Sequence, residues 1–92
     1  MDRPIDEERV LKSFVQDGRL VTIPARRHKR LVVLDHMAQS FQVGLRYSES
    51  EVNAILRHFN DDVASLRRYL VDEQFLDRDN GVYWRAGGTV DI

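Results

Sequence analysis

Apolar positions recur at helical spacing in four stretches of this 92-residue chain. Val10, Leu11, Phe14 and Val15 share one face of residues 6–16. Asp6, Glu7 and Glu8 supply the acids a helix start favours, and Asp17-Gly18 stops the helix. Leu31, Leu34, Ala38 and Phe41, widened by Val33 and Met37, mark a second helix over residues 25–41, broken beyond by Gly44. Ser48 followed by Glu51 is a capping box ahead of the stripe Val52, Ile55, Leu56 and Phe59, so a third helix starts there and ends by Asn60. Asn60 or Asp61 caps a fourth, running to about Glu73, with Val63, Leu66 and Leu70 turned inward. Between and after the helices lie β-prone runs. Leu20-Val21-Thr22-Ile23 ends at Pro24, and Leu45-Arg46-Tyr47 is extended. Phe75-Leu76-Asp77-Arg78 and Val82-Tyr83-Trp84-Arg85 flank Asn80-Gly81, the dipeptide of a two-residue type I′ hairpin turn.

From Ala25 onward the order is helix, short extended piece, helix, tight turn, helix, β-hairpin. This is the order of a winged helix-turn-helix, so the expected fold is α+β and mostly helical. It has a C-terminal β-hairpin and an extra helix and strand in front. The extended piece at Leu45-Arg46-Tyr47 is expected to join the hairpin, since two strands alone are marginal. The length suits one domain with two packed layers, here over residues 1–86, and Ala86-Gly87-Gly88 leads into an expected flexible tail over residues 87–92.

Composition removes several classes of function. There is no cysteine, hence no disulfide, no cysteine-ligated zinc and no thiol catalysis. No apolar run approaches a membrane span and the start lacks a signal-peptide core, so a cytoplasmic protein without membrane contact is expected. His28, His36 and His58 are never paired at the i, i+4 spacing of a helical metal site. No serine sits in a glycine-flanked elbow, and no glycine-rich phosphate loop occurs. These features imply a non-enzymatic protein with no catalytic residue, no metal and no cofactor.

A net charge of -1 hides an uneven layout. Residues 18–46 hold six bases against Asp35, whereas residues 47–79 hold eight acids against four bases. Arg26, Arg27, Lys29 and Arg30 cluster at the start of the second helix, where cations oppose the helix dipole. Compensation comes either from an anionic partner such as a nucleic-acid backbone or from acids of the -4 segment, such as Glu49, Glu51 or Asp72. On the fourth helix, Asp61, Ala64, Ser65, Arg68 and Asp72 face outward. One arginine against two aspartates disfavours tight autonomous DNA binding, although Arg68 with Ser65 has the chemistry to read a guanine edge. Arg78 and Arg85 of the hairpin are candidates for backbone contact. Glu51, Asn53 and Arg67 are expected to form a structural junction fixing the angle between the third and fourth helices. Tyr83 and Trp84 point to opposite faces, one inward with Phe75 and one exposed. The pattern leaves the oligomeric state open.

The segments Ile23-Pro24-Ala25-Arg26-Arg27-His28-Lys29-Arg30-Leu31, Tyr47-Ser48-Glu49, Glu51-Val52-Asn53, Leu66-Arg67-Arg68 with Leu70-Val71, and Phe75-Leu76 with Arg78 and Tyr83 closely resemble a bacterial family, domain of unknown function 2087. The resemblance runs from about Leu20 to Arg85. Members of that family occur alone or attached to helix-turn-helix regulators, which implies a link to transcription and supplies no catalytic residues. The combined expectation is a non-enzymatic module of bacterial transcription control. It works through a protein partner or auxiliary nucleic-acid contact, with weak DNA affinity alone. An autonomous sequence-specific DNA-binding regulator is the alternative.

Overall fold

The computed structural model describes residues 7–89. Among the described residues, four helices and two small antiparallel sheets make an α+β architecture. The order is α1 (Glu7–Phe14), β1 (Val15–Gln16), β2 (Arg19–Leu20), α2 (Arg27–Ala38), β3 (Arg46–Ser48), α3 (Glu49–Arg57), α4 (Val63–Asp72), β4 (Leu76–Asp79) and β5 (Val82–Arg85).

The front of the chain corrects the sequence reading. Helix α1 stops at Phe14, and Val15 pairs with Leu20 and Gln16 with Arg19 around Asp17-Gly18. Asp17 and Gly18 have φ of 53° and 79°, the two left-handed positions of a type I′ turn. Asp-Gly here does what Asn-Gly does later: it reverses a strand rather than merely ending a helix. The strand expected over residues 20–23 shrinks accordingly to Arg19–Leu20, and Val21 is exposed. This first hairpin is tied to the middle of the chain. The Leu20 N–H donates to the Phe59 carbonyl at 2.7 Å, and Asn60 Nδ2 donates to the Leu20 carbonyl at 2.9 Å.

Helix α2 is shorter at both ends than the expected span of residues 25–41. Arg26 is its N-cap and makes no side-chain capping bond. Phe41 lies beyond the helix yet is fully buried, carried inward by a turn in which its N–H donates to the Ala38 carbonyl at 3.0 Å. The buried face is Val33, Leu34, Met37 and Ala38, with Leu31 at its margin. Helix α3 starts where the capping box places it: Glu51 N–H donates to Ser48 Oγ at 3.1 Å, and Ser48 N–H donates to Glu51 Oε1 at 2.8 Å. The cap of α4 is Asp62 rather than Asn60 or Asp61, its Oδ1 accepting from the Ser65 N–H at 3.3 Å. Asn60 is occupied otherwise, because its amide both donates to Leu20 and accepts from the Asp62 N–H at 2.8 Å.

The second sheet has the order β3-β5-β4, so the strand before α3 pairs with the last strand of the C-terminal hairpin. Tyr47 and Arg78 are the register partners of Tyr83 from either side. Asn80 and Gly81, with φ of 52° and 77°, close β4 onto β5 in the expected two-residue turn. Leu34, Met37, Phe41, Val52, Leu56, Leu66 and Leu70 from the helices meet Leu76 and Tyr83 from the sheet in one core. No polar or charged residue is buried among the described residues. Tyr83 is the inward aromatic. Trp84 is half-buried under Arg46, whose guanidinium carbon lies 4.8 Å from the indole centroid, and so is not the exposed aromatic the alternation implied.

Residues 87–89, the described part of the expected tail, hydrogen-bond back to the fold, and residues 90–92 lie outside the described residues. Ala86 and Gly87 N–H groups donate to the Phe75 carbonyl, and Thr89 gives both its N–H and its Oγ1 to the Asp35 carboxylate at 2.7 Å each. A Cβ on Gly87 would lie 2.6 Å from the Gln74 carbonyl oxygen, so this strap approaches the chain as closely as only glycine allows. The partners come from α2 and from the residues after α4, which no local pattern reveals.

Candidate anion-binding face

The basic cluster at the start of α2 divides in space. Arg27 reaches the far end of α4 and forms a two-pronged pair with Glu73, with Nε to Oε2 at 2.9 Å and Nη2 to Oε1 at 2.6 Å. Hydrogen bonding by Arg27 holds the Glu73 carboxyl below its ordinary range, and the same bond raises Arg27. Arg30 lies over the Tyr69 ring, 4.6 Å from its centroid, and donates to the Pro24 and Ala25 carbonyls. Both arginines therefore clamp α2 to α4. Among the described residues, Arg26 and Lys29 have no ion pair or side-chain hydrogen bond, so they alone of the cluster keep their donors for a partner.

The hairpin arginines also part company. Arg85 spends its guanidinium on three carbonyls: Nη1 to Phe41 at 3.1 Å, Nε to Gly87 at 2.7 Å and Nη2 to Thr89 at 2.6 Å. The candidate backbone contact is thus a structural clamp, because its strand position turns it toward the loop after α2 and the glycine strap. Arg78, on the edge strand β4, stays exposed beside α4, with Nη1 donating to the Tyr83 hydroxyl at 3.5 Å. That bond and the tyrosine's charge raise the Arg78 pKa.

The junction between α3 and α4 has a different membership from the expected one. Glu51 is turned back onto Ser48 by the capping box and does not face Arg67. Arg67 Nη1 donates instead to Asn53 Oδ1, and its Nη2 lies 3.9 Å from Glu49 Oε2. Glu49 also accepts the Tyr83 hydroxyl at 3.1 Å, so one carboxylate joins α3, α4 and the hairpin. The sequence offers Glu49 as a partner for the start of α2 and not for this junction, because Tyr83 is 34 positions away and no short-range spacing links them.

These placements leave a basic recess among the described residues. Ala64, Arg67, Arg68, Val71 and Asp72 of α4, with Arg78 and Tyr83 of the hairpin, line a groove of about 330 Å³. Arg68 has no ion pair or side-chain hydrogen bond to another described residue, and Ser65 is next to it on the exposed face. Three arginines from two elements line it, with a single lining carboxylate, Asp72. A larger depression of about 570 Å³, between the end of α4 and the glycine strap, has Glu73 and Asp77 in its lining and no base. Among the described residues, no group of three or more histidines, aspartates or glutamates is arranged to hold a metal ion. No helix among them is long and apolar enough to cross a membrane.

The model of one family matches residues 19–85, the stretch from β2 to the end of β5, and is described as an uncharacterized protein conserved in bacteria, DUF2087. The chain belongs to this family. The match covers the basic groove, the clamps between α2 and α4 and the buried core apart from Val10, whereas α1 and β1 precede it and residues 86–89 follow it. No curated protein and no solved structure matches the chain.

Proposed function

We propose that the domain is a non-enzymatic, winged-helix module of bacterial transcription control, making auxiliary rather than sequence-selective contact with nucleic acid. The observation that carries this reading is the strand order β3-β5-β4 around the tightly turned pair α3 and α4. A helix, a strand, two helices and a hairpin whose last strand pairs back to the first are the winged helix-turn-helix order. In that order α4 takes the place of the groove-facing helix and the β4–β5 turn that of the wing. Attachment of related domains to helix-turn-helix regulators, implied by the family resemblance, fits the same role.

The charges favour auxiliary contact over autonomous recognition. Asp61 and Asp62 stand exposed at the start of α4 and Asp72 near its end. In helix-turn-helix docking the start of this helix approaches the bases, and exposed aspartates there repel phosphates. Arg27, Arg30 and Arg85, which the linear sequence offers as DNA contacts, are committed to internal partners.

Selection of bound duplexes from a random pool at physiological salt tests this reading. Weak retention with no enriched sequence is expected. Strong enrichment of one motif would establish an autonomous sequence-specific regulator, with Ser65 and Arg68 the first residues to suspect for base contact.

A further inference from the structure

We infer that the groove between α4 and the C-terminal hairpin is a docking site for a nucleic-acid backbone phosphate, held by Arg67, Arg68 and Arg78 and restrained by Glu49. This inference deepens the winged-helix reading and rests on it. The groove is lined by arginines from a helix and from an edge strand, whose planar forks match the oxygens of a phosphodiester. Arg67 is the fixed member: Asn53 accepts one nitrogen, and the side chain is only 21% exposed. Arg68 is the uncommitted member. Arg78 approaches from the opposite wall, steadied by the Tyr83 hydroxyl.

Glu49 makes the site a weak one. Its carboxylate lies 3.9 Å from Arg67 and accepts the Tyr83 hydroxyl that Arg78 also touches, so it already answers part of the positive charge an incoming phosphate needs. With Asp72 in the lining, the groove attracts an anion without holding it strongly. Nucleic acid is favoured over an acidic peptide by position. The groove runs alongside the helix and hairpin that flank a duplex in helix-turn-helix docking, where contacts of this kind set orientation and carry no sequence information.

Fluorescence anisotropy with the full chain and a labelled duplex of arbitrary sequence, between 50 and 200 mM salt, tests the inference. Each neutralised phosphate adds about 0.9 to the steepness of the log–log salt plot, so the one phosphate held in the groove accounts for about a 3.5-fold loss of affinity over that range. Arg68→Ala and Arg78→Ala should each weaken binding at 50 mM salt and make that loss smaller while leaving the thermal transition nearly unchanged. Glu49→Gln should tighten binding. Arg67 is left intact because it also holds the helix junction. Titrations of Arg68→Ala and Arg78→Ala that superimpose on the wild type would overturn the groove assignment. If Arg26→Glu with Lys29→Glu then abolishes binding, the module still contacts nucleic acid but through the start of α2. If the wild type binds no duplex even at 50 mM salt, the inference and the reading beneath it both fall. Tighter binding of poly-glutamate than of the duplex, lost on Arg68→Ala, would overturn the phosphate and put an acidic protein partner in its place.

Discussion

Leu66→Ala is expected to lower stability by about 2–5 kcal/mol, the range for truncating a leucine that cannot be replaced by solvent or by collapse of its neighbours. Leu66 has no exposed surface and sits in the core with Leu56, Leu70 and Tyr83, where α4 meets α3 and the sheet. Small domains total about 5–15 kcal/mol, so one cavity here removes a large share. The melting temperature should fall by about 10 °C or more, given roughly 4–8 °C per kcal/mol at this size. Val43→Ala is the control: Val43 is 56% exposed, and its truncation should stay within about 0.5 kcal/mol. Equal melting temperatures for Leu66→Ala and the wild type would refute the inward face of α4.

The second large effect concerns Arg85. Arg85→Ala should cost about 2–3 kcal/mol, because it leaves the Phe41, Gly87 and Thr89 carbonyls without their shared charged donor. The strap over residues 86–89 should loosen in consequence, with faster amide exchange at Thr89, whose N–H is held by Asp35. Arg85→Lys should not restore stability, since one ammonium cannot reproduce a fork serving three acceptors in different directions. The salt dependence of DNA binding should not change. An Arg85→Ala variant that melts like the wild type but binds duplex with a shallower salt slope would make Arg85 a ligand contact, against the clamp described above.

What the sequence made legible was local. The Ser48–Glu51 capping box and the Asn80-Gly81 turn are decided within four residues, and the structure places both where the pattern put them. The joining of residues near Tyr47 to the hairpin was readable because an isolated two-stranded hairpin lacks enough partners. The Asp17-Gly18 hairpin was equally local. It went unread because a dipeptide that breaks a helix and one that reverses a strand carry the same residues, and Val15 fits either period.

The candidate site was harder to read, because charge proximity along a chain is not proximity in space. Arg26, Arg27, Lys29 and Arg30 are neighbours in sequence, yet Arg27 answers Glu73 46 positions on, and Arg30 lies over Tyr69. Arg78 and Arg85 share a hairpin, but one faces α4 and the other the loop after α2. The sequence offers Glu51 to Arg67 as a pair across the turn between α3 and α4. The capping box had already claimed its carboxylate, leaving Asn53 and Glu49 to take that place. Two readings of one residue competed, and the local bond won.

The most direct test of the account is to titrate the isotope-labelled domain with a short duplex at low salt and follow its backbone amides by NMR. The account predicts small, fast-exchange shifts concentrated on the exposed side of α4 and on β4, at Ala64, Ser65, Arg68 and Arg78. The strap at Gly87 and Thr89 should be unmoved. Shifts confined to the start of α2, at Arg26, His28 and Lys29, with α4 and the hairpin silent, would contradict it.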